Sequence, residues 1–204
     1  MSILEYNGGT CLAMAGAGCY VIASDNRLGE QFKTISMDTP KLHVINDRVV
    51  IGLSGLRTDQ ITFANKLKYR TNTYHLHEER AISGRAVAAL VTHMLYEHRF
   101  GPYFCEPVIA SIEEDGRVFL CATDLIGAQE TPEDYVCTGT ASESLHGMCE
   151  ALWRPGLGPE DLFEVAAQCL LSSFDRDCLS GYGATVMIVT KDRVVTRLLR
   201  GRKD

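Results

Sequence analysis

Asn7-Gly8-Gly9-Thr10-Cys11-Leu12-Ala13-Met14 says more about the architecture of this chain than any other stretch of its sequence. Its apolar half has the composition of a buried β-strand, and a Gly/Ala-rich turn separates it from a second apolar run at 20–23. Two apolar runs around such a turn predict a β-hairpin. The Gly9-Thr10 junction also points to chemistry, because a threonine with a free amine can use that amine as the base for its own hydroxyl.

Charged residues follow this hairpin at separations that carry information, namely Asp25, Arg27 and Lys41. With the Gly-Thr junction they strongly resemble the proteasome β-type subunits, whose active members expose a catalytic threonine by self-cleavage after a glycine. In those members the threonine precedes the Asp, the Arg and the Lys by sixteen, eighteen and thirty-two residues. Counting back by these separations from Asp25, Arg27 and Lys41 reaches Gly9 each time, so Thr10 is one residue late.

A shift of one residue on a strand turns a side chain to the opposite face of the sheet. We therefore expect Gly9, which has no hydroxyl, to occupy the position of the nucleophile. The alternative is a deletion within residues 15–18 that returns Thr10 to the site and makes the chain an active threonine peptidase after self-cleavage. Cys11 lies two residues beyond Gly9 on the same face, and we expect it to be a buried, inert thiol.

The resemblance implies the remaining members of the site. In active relatives the lysine lowers the pKa of the threonine hydroxyl, and the Asp and Arg hold it in place. Segment 176–181 matches an Arg-Asp-x-x-Ser-Gly motif whose Asp and Ser surround the threonine amine, and Thr138 stands for the serine of a Gly-Ser-Gly loop. The expected vestigial site thus comprises Gly9, Asp25, Arg27, Lys41, Thr138, Asp177 and Ser180, with no catalytic group remaining.

The order of periodic segments predicts an α+β protein. Helical periodicity is expected over 61–76, from an N-cap at Ser83 to residue 95, from a capping box Thr140-x-x-Glu143 to residue 152, and from Pro159 onward. Strands are expected at 44–53 as a hairpin, and at 106–112, 117–123, 184–189 and 194–199. The resemblance selects the fold class among α+β options, a four-layer α-β-β-α sandwich of the N-terminal nucleophile hydrolase type.

Bulk properties exclude several classes of function. The 204 residues suit one domain, expected to span 1–204 with residues 1–8 as a short unprocessed extension. A formal net charge of −6 without a basic block argues against nucleic acid. No apolar run is long enough to suggest a membrane-spanning segment. The first residues do not have the pattern of a secretory leader. Eight cysteines without a Cys-x-x-Cys pair predict small buried hydrophobes rather than a metal site, and we expect no cofactor and no small-molecule substrate.

Longer stretches such as 95–104 and 146–153 extend the resemblance to non-catalytic members of the family. The resemblance therefore implies a structural β-ring subunit of the 20S core particle, which degrades ubiquitin-tagged proteins. Its expected partners are other α- and β-type subunits in stacked seven-membered rings. Its expected location is the cytoplasm and the nucleus.

Overall fold

The burial of the first strand on both faces shows how the layers of the molecule are arranged. The computed structural model describes residues 2–202. The two ends of the expected single domain, Met1 and Asp204, therefore lie outside the described range. Strand β1 (Thr10–Ala15) is buried at every position. Leu12 and Met14 belong to one hydrophobic cluster and Cys11 and Ala13 to another. A strand apolar on both faces must lie between two layers, and here it separates helices from a second sheet.

The helices and strands alternate in blocks along the chain. In chain order they are β1, β2 (Cys19–Asp25), β3 (Leu28–Glu30), β4 (Lys33–Ser36), β5 (Leu42–Asn46), β6 (Val49–Gly55), α1 (Arg57–Glu78), α2 (Gly84–Tyr96), β7 (Cys105–Ile112), β8 (Val118–Thr123), β9 (Gln129–Glu130), β10 (Tyr135–Gly139), α3 (Ser142–Leu152), α4 (Pro159–Phe174), β11 (Ala184–Thr190) and β12 (Val194–Leu199). A single 3₁₀ turn (Ile3–Glu5) precedes β1.

Two five-stranded antiparallel sheets face each other. The first has the strand order β10-β1-β2-β11-β12, and the second has the order β5-β6-β7-β8-β9. Side chains such as Ala13, Ile22, Val108 and Leu120 fill the space between them. The short β3–β4 hairpin forms a separate two-stranded sheet beside the start of β1.

Each sheet is covered on its outer face by a pair of helices. Helices α3 and α4 pack on the first sheet through residues such as Leu145 and Leu170, and α1 and α2 pack on the second through residues such as Phe63 and Val91. The result is a four-layer α-β-β-α sandwich. The fold class expected from the sequence is confirmed.

Most elements agree with the sequence expectations, including the β1–β2 hairpin and all four helices. Ser83 caps α2 as predicted, since its hydroxyl accepts a hydrogen bond from Ala86 N at 3.3 Å. The capping box at Thr140 is wrong. Helix α3 begins at Ser142 after an N-cap at Ala141 without a side-chain bond, because the Thr140 hydroxyl is engaged elsewhere. Strands β3, β4, β9 and β10 were not expected.

Candidate functional site

A buried ion pair lies at the end of the first sheet where β1 begins. Lys41 Nζ donates to Asp25 Oδ1 at 2.6 Å, and both side chains are almost completely excluded from solvent. The same ammonium donates to two main-chain oxygens, Asp25 O at 3.1 Å and Arg27 O at 2.8 Å. All three hydrogens of Lys41 are therefore engaged, which satisfies the charge that burial would otherwise penalise.

Asp25 ties this pair to three separate segments. Its Oδ1 also accepts from Thr10 N at 3.0 Å, and its Oδ2 accepts from Arg27 N and Gly181 N, both at 3.2 Å. These main-chain hydrogen bonds satisfy both oxygens of the buried carboxylate. Asp25 thus fixes the start of β1, the end of β2 and the loop before β11 relative to one another.

Arg27 is 1% exposed and holds loops rather than a counter-ion. Its Nη1 donates to Leu179 O at 2.9 Å, its Nη2 to Gln31 O at 2.9 Å, and its Nε to Thr34 Oγ1 at 3.0 Å. The planar guanidinium can reach three directions at once. It connects the β3–β4 hairpin to the loop that carries Ser180.

Gly9 lies directly against Lys41. A Cβ at this glycine would come 2.9 Å from Lys41 Cε and 3.4 Å from Asp25 Oδ1. The Gly9 backbone has φ = 116°, a conformation that residues with side chains rarely adopt. The position just before β1 that points at the lysine therefore carries no functional group.

Thr10 points the other way. Its hydroxyl accepts a hydrogen bond from Ala141 N at 3.1 Å and is completely buried on the α3–α4 side of the sheet. By strand alternation it shares that face with Leu12 and Met14. The structure brings only the main-chain N–H of Thr10, not its hydroxyl, to the Asp25–Lys41 pair.

Asp177 and Ser180 lie together in the loop after α4. Ser180 Oγ donates to Asp177 Oδ2 at 2.6 Å, and Leu179 N donates to Asp177 Oδ1 at 3.0 Å. Thr140, which the sequence analysis did not place here, donates to the same Oδ2 at 2.7 Å and approaches Gly9 O at 3.5 Å. The second hydroxyl of this cluster, beside that of Ser180, therefore belongs to Thr140.

Thr138, which the resemblance suggested for that hydroxyl, lies elsewhere. It accepts from Ser54 Oγ at 3.0 Å and approaches Glu106 O at 3.4 Å, on the side of β10 that faces the second sheet. Gly139, with φ = 94°, turns the chain between the two threonines and packs so closely on Gly9 O that no Cβ fits. The sequence does contain a signal for this turn, namely Gly139, because glycine readily adopts the positive φ found there.

Cys11 lies within the influence of the charges of Lys41 and Asp25, and its environment makes it unreactive. It is completely buried between the sheets, where Gly52 lies against its sulfur. Burial raises the pKa of the Cys11 thiol to about 12, although the positive charge of Lys41 acts in the opposite direction. Because the thiolate is the nucleophilic form, Cys11 does not supply the missing chemistry.

Two further findings concern residues 2–202 only. The structure contains no helix there with both the length and the apolarity to cross a bilayer. Nor do the described residues gather three or more His, Cys, Asp or Glu side chains that could hold a metal ion.

The four-layer α-β-β-α sandwich places the chain in the class of N-terminal nucleophile hydrolase folds. Residues 5–189 match the family described as "Proteasome subunit", and the chain belongs to the proteasome subunit family. It is 70% identical to the proteasome subunit beta type-3 of Trypanosoma brucei brucei over the whole of both chains. It is 52% identical to the beta type-3-A subunit of Arabidopsis thaliana and 48% identical to the beta type-3 subunit of Drosophila melanogaster, again over their full lengths. The resemblance stated from the sequence is confirmed.

Proposed function

We propose that this chain is a non-catalytic, structural subunit of the β ring of the 20S proteasome core particle. The observation that carries the proposal is Gly9, whose missing side chain would point at Lys41 Cε from 2.9 Å. An acyl-transfer site needs a nucleophile beside its activating group, and glycine offers none. Full-length similarity to proteins named beta type-3 supports the assignment to this kind of subunit.

The proposed role is to enclose the chamber in which ubiquitin-tagged proteins are degraded. The chain would contact other α- and β-type subunits within stacked seven-membered rings, in the cytoplasm and the nucleus. The retained Asp25, Arg27 and Lys41 would serve the architecture, since removing one partner of a buried pair costs about 3–5 kcal/mol. Residues of a former active site can thus persist without catalysis.

The alternative, an active peptidase that uses Thr10, is less compatible with the geometry. Cleavage before Thr10 would require attack on the Gly9 carbonyl by the Thr10 hydroxyl, which instead accepts a hydrogen bond from Ala141 N at 3.1 Å. That carbonyl accepts from Thr140 N at 3.0 Å. Bringing the hydroxyl to Lys41 would require the start of β1 to shift by one residue, which exchanges its two faces.

Intact-mass spectrometry of the assembled particle tests the proposal. We expect the chain to retain the segment before Thr10, apart from processing at its first residues. A chain that begins at Thr10 would contradict the structural role and support the peptidase. As a control, Thr10→Val should enter the particle and leave each of its peptidase activities unchanged, whereas a peptidase that depends on Thr10 would lose one of them.

A further inference from the structure

A lysine without a carboxylate partner lies on the outer surface of α1. Lys66 Nζ donates to the hydroxyl oxygen of Tyr103 at 2.5 Å and lies 5.3 Å from the centre of the same ring. Within residues 2–202 the structure shows no ion pair for this exposed ammonium. Because an ammonium carries three hydrogens, Lys66 retains two of them for a further acceptor.

The packing of Tyr103 holds its hydroxyl beside this lysine. Its ring packs edge to face against the buried Phe63, with ring centres 5.7 Å apart, and its centre lies 4.6 Å from that of the His98 ring. The phenol oxygen accepts from Lys66, and its distance to His98 Nε2 is 3.4 Å, which is long for a hydrogen bond. The phenol proton therefore remains available to a better acceptor placed between Lys66 and His98.

The carboxylate nearest to these groups is already engaged. Glu97 Oε2 accepts from Arg70 Nη2 at 3.0 Å, and Glu97 Oε1 lies 3.2 Å from His93 Nε2. Arg70 and Glu97 line the same cavity as Lys66, which has a volume of about 240 Å³. The cavity thus holds one full positive charge more than it holds carboxylates, in a chain whose formal net charge is −6.

An apolar groove adjoins this charged cavity. The groove has a volume of about 430 Å³ and lies between α1 and α2, where Thr73, Ala86 and Leu90 are among the residues that line it. Tyr69, which is 73% exposed, and Arg70 line both the groove and the cavity. A surface of this kind suits an amphipathic polypeptide segment, whose apolar side chains enter a groove while a charged group fixes its position.

We propose that the cavity at Lys66 binds a carboxylate of a neighbouring polypeptide chain, whose apolar side chains lie in the groove between α1 and α2. The carboxylate accepts from Lys66 Nζ and from the Tyr103 hydroxyl, and such charge-assisted hydrogen bonds are among the stronger ones in proteins. Resting on the proposed function, the partner is another subunit of the particle.

The charge and the size of the cavity favour this occupant over two others. A phosphate group carries close to two negative charges, whereas the cavity supplies one uncompensated ammonium. Pockets that enclose small molecules have volumes of about 300–1,000 Å³, so the 240 Å³ cavity suits a side chain better than a free ligand.

Zero-length cross-linking of the assembled particle tests the contact, because a carbodiimide joins an amine to a carboxylate only when the two are adjacent. We expect peptide mass spectrometry to show Lys66 joined to an aspartate, a glutamate or a C-terminal carboxylate of another subunit. Lys68, which is exposed on the same helix but does not line the cavity, is the control and should not be joined to that peptide. An intact particle in which Lys66 forms no cross-link to another subunit would overturn the proposal.

Competition for a place in the particle tests whether the charge of Lys66 matters. Wild-type and variant chains are produced together, and their ratio in purified particles is read from intact masses. Lys66→Met should be incorporated about ten-fold less than the wild type, because it leaves the partner's carboxylate without a cation. Lys66→Arg keeps the charge, so it should be incorporated like the wild type while losing the cross-link, since a guanidinium does not react with carbodiimide. Equal incorporation of Lys66→Met and the wild type would contradict the proposal.

Two further measurements separate the other causes of such a loss. The midpoint of urea unfolding of the free chain should be the same for Lys66→Met and the wild type, because the side chain is exposed. If the midpoint falls, the cross-link of the wild-type chain decides, since it requires no variant. Native mass spectrometry of the wild-type particle shows whether the chain is one of its subunits, so failure of the proposed function is recognised independently.

Discussion

At the scale of single residues, the start of β1 combines an intact charged shell with a backbone that only glycine tolerates. Asp25 and Lys41 are buried and fully hydrogen-bonded, and Gly9 beside them has φ = 116°. The side chains of Asp25 and Lys41 therefore restrict which residues can occupy position 9. This limit is a matter of stability as well as of chemistry.

Gly9→Ala should destabilise the fold by about 3 kcal/mol or more, because the new Cβ meets both backbone strain and the side chain of Lys41. Unfolding in urea, followed by the fluorescence of Trp153, measures the loss. The matched control is Gly18→Ala, since Gly18 has φ = 65° but no atom within 4 Å of its Cβ position. It should cost only about 1–2 kcal/mol. Equal losses would show that Lys41 does not restrict position 9.

The cysteines should differ sharply in reactivity. Seven of them are buried and Cys178 is exposed, and burial raises the pKa of Cys11 and of Cys105 to about 12. Brief treatment of the native chain with iodoacetamide at neutral pH should label Cys178 alone, as read by peptide mass spectrometry. Labelling in urea provides the control, in which all cysteines react. Rapid labelling of native Cys11 would contradict the inert role given to it.

At the scale of elements, hydrophobic periodicity was sufficient to predict the helices and the longer strands. The apolar stripes of α2, α3 and α4 and the runs of β1, β2, β11 and β12 are visible in the sequence. The buried face of α1 is less regular, because it includes the polar Gln60 and Thr71 while Ile61 is exposed. Strands β3 and β4 are short, partly exposed and without a continuous apolar run, so their pairing depends on Arg27 and on the N-terminal segment. Such tertiary dependence leaves no local pattern in the sequence.

The site shows the same division. The spacing of Asp25, Arg27 and Lys41 predicted a cluster, and the structure brings these three together. The identity of the nearby hydroxyl could not be obtained in this way, because Gly139 turns the chain between Thr138 and Thr140. The motif Thr140-x-x-Glu143 has the composition of a capping box, but Asp177 offers the Thr140 hydroxyl a charged acceptor at 2.7 Å.

Thr140 should therefore be coupled to Asp177 and not to Glu143. In a double-mutant cycle, Thr140→Val and Asp177→Asn should show an interaction free energy of about 1–2 kcal/mol, since a hydrogen bond to a charged group is being removed. Glu143→Ala combined with Thr140→Val should be additive. Urea unfolding of the single and double variants supplies the numbers. Coupling to Glu143 instead would restore the capping box.

At the scale of the whole molecule, the sandwich buries three hydrophobic layers yet leaves large apolar side chains exposed. On the α1–α2 side, Tyr69, Leu76, Tyr96 and Phe100 are 62–98% exposed. Exposed apolar side chains of this size often take part in contacts with other proteins. A chain that exposes these side chains is better suited to an assembly than to the monomeric state.

The isolated chain should accordingly self-associate without forming defined rings. Size-exclusion chromatography with light scattering should give broad, concentration-dependent masses, and Leu76→Ser with Phe100→Ser should shift the chain toward monomer. The control is Lys68→Ser, on the same face of the molecule, which replaces a side chain that is already polar. It should leave the measured masses unchanged. A discrete ring of this chain alone, with peptidase activity, would contradict the structural role.

Under the proposed function, the N-terminal segment that covers β3 and the glycine at position 9 together make a gain of catalytic activity difficult in evolution. Such a gain needs a hydroxyl at position 9, a free hydrogen on Lys41, and release of residues 2–8 from Gly29 and Arg57. None of these changes alone would complete a catalytic site, so a variant with only one of them would gain no activity. Lineages that carry this arrangement can be expected to drift at the former site only within the limits of the fold.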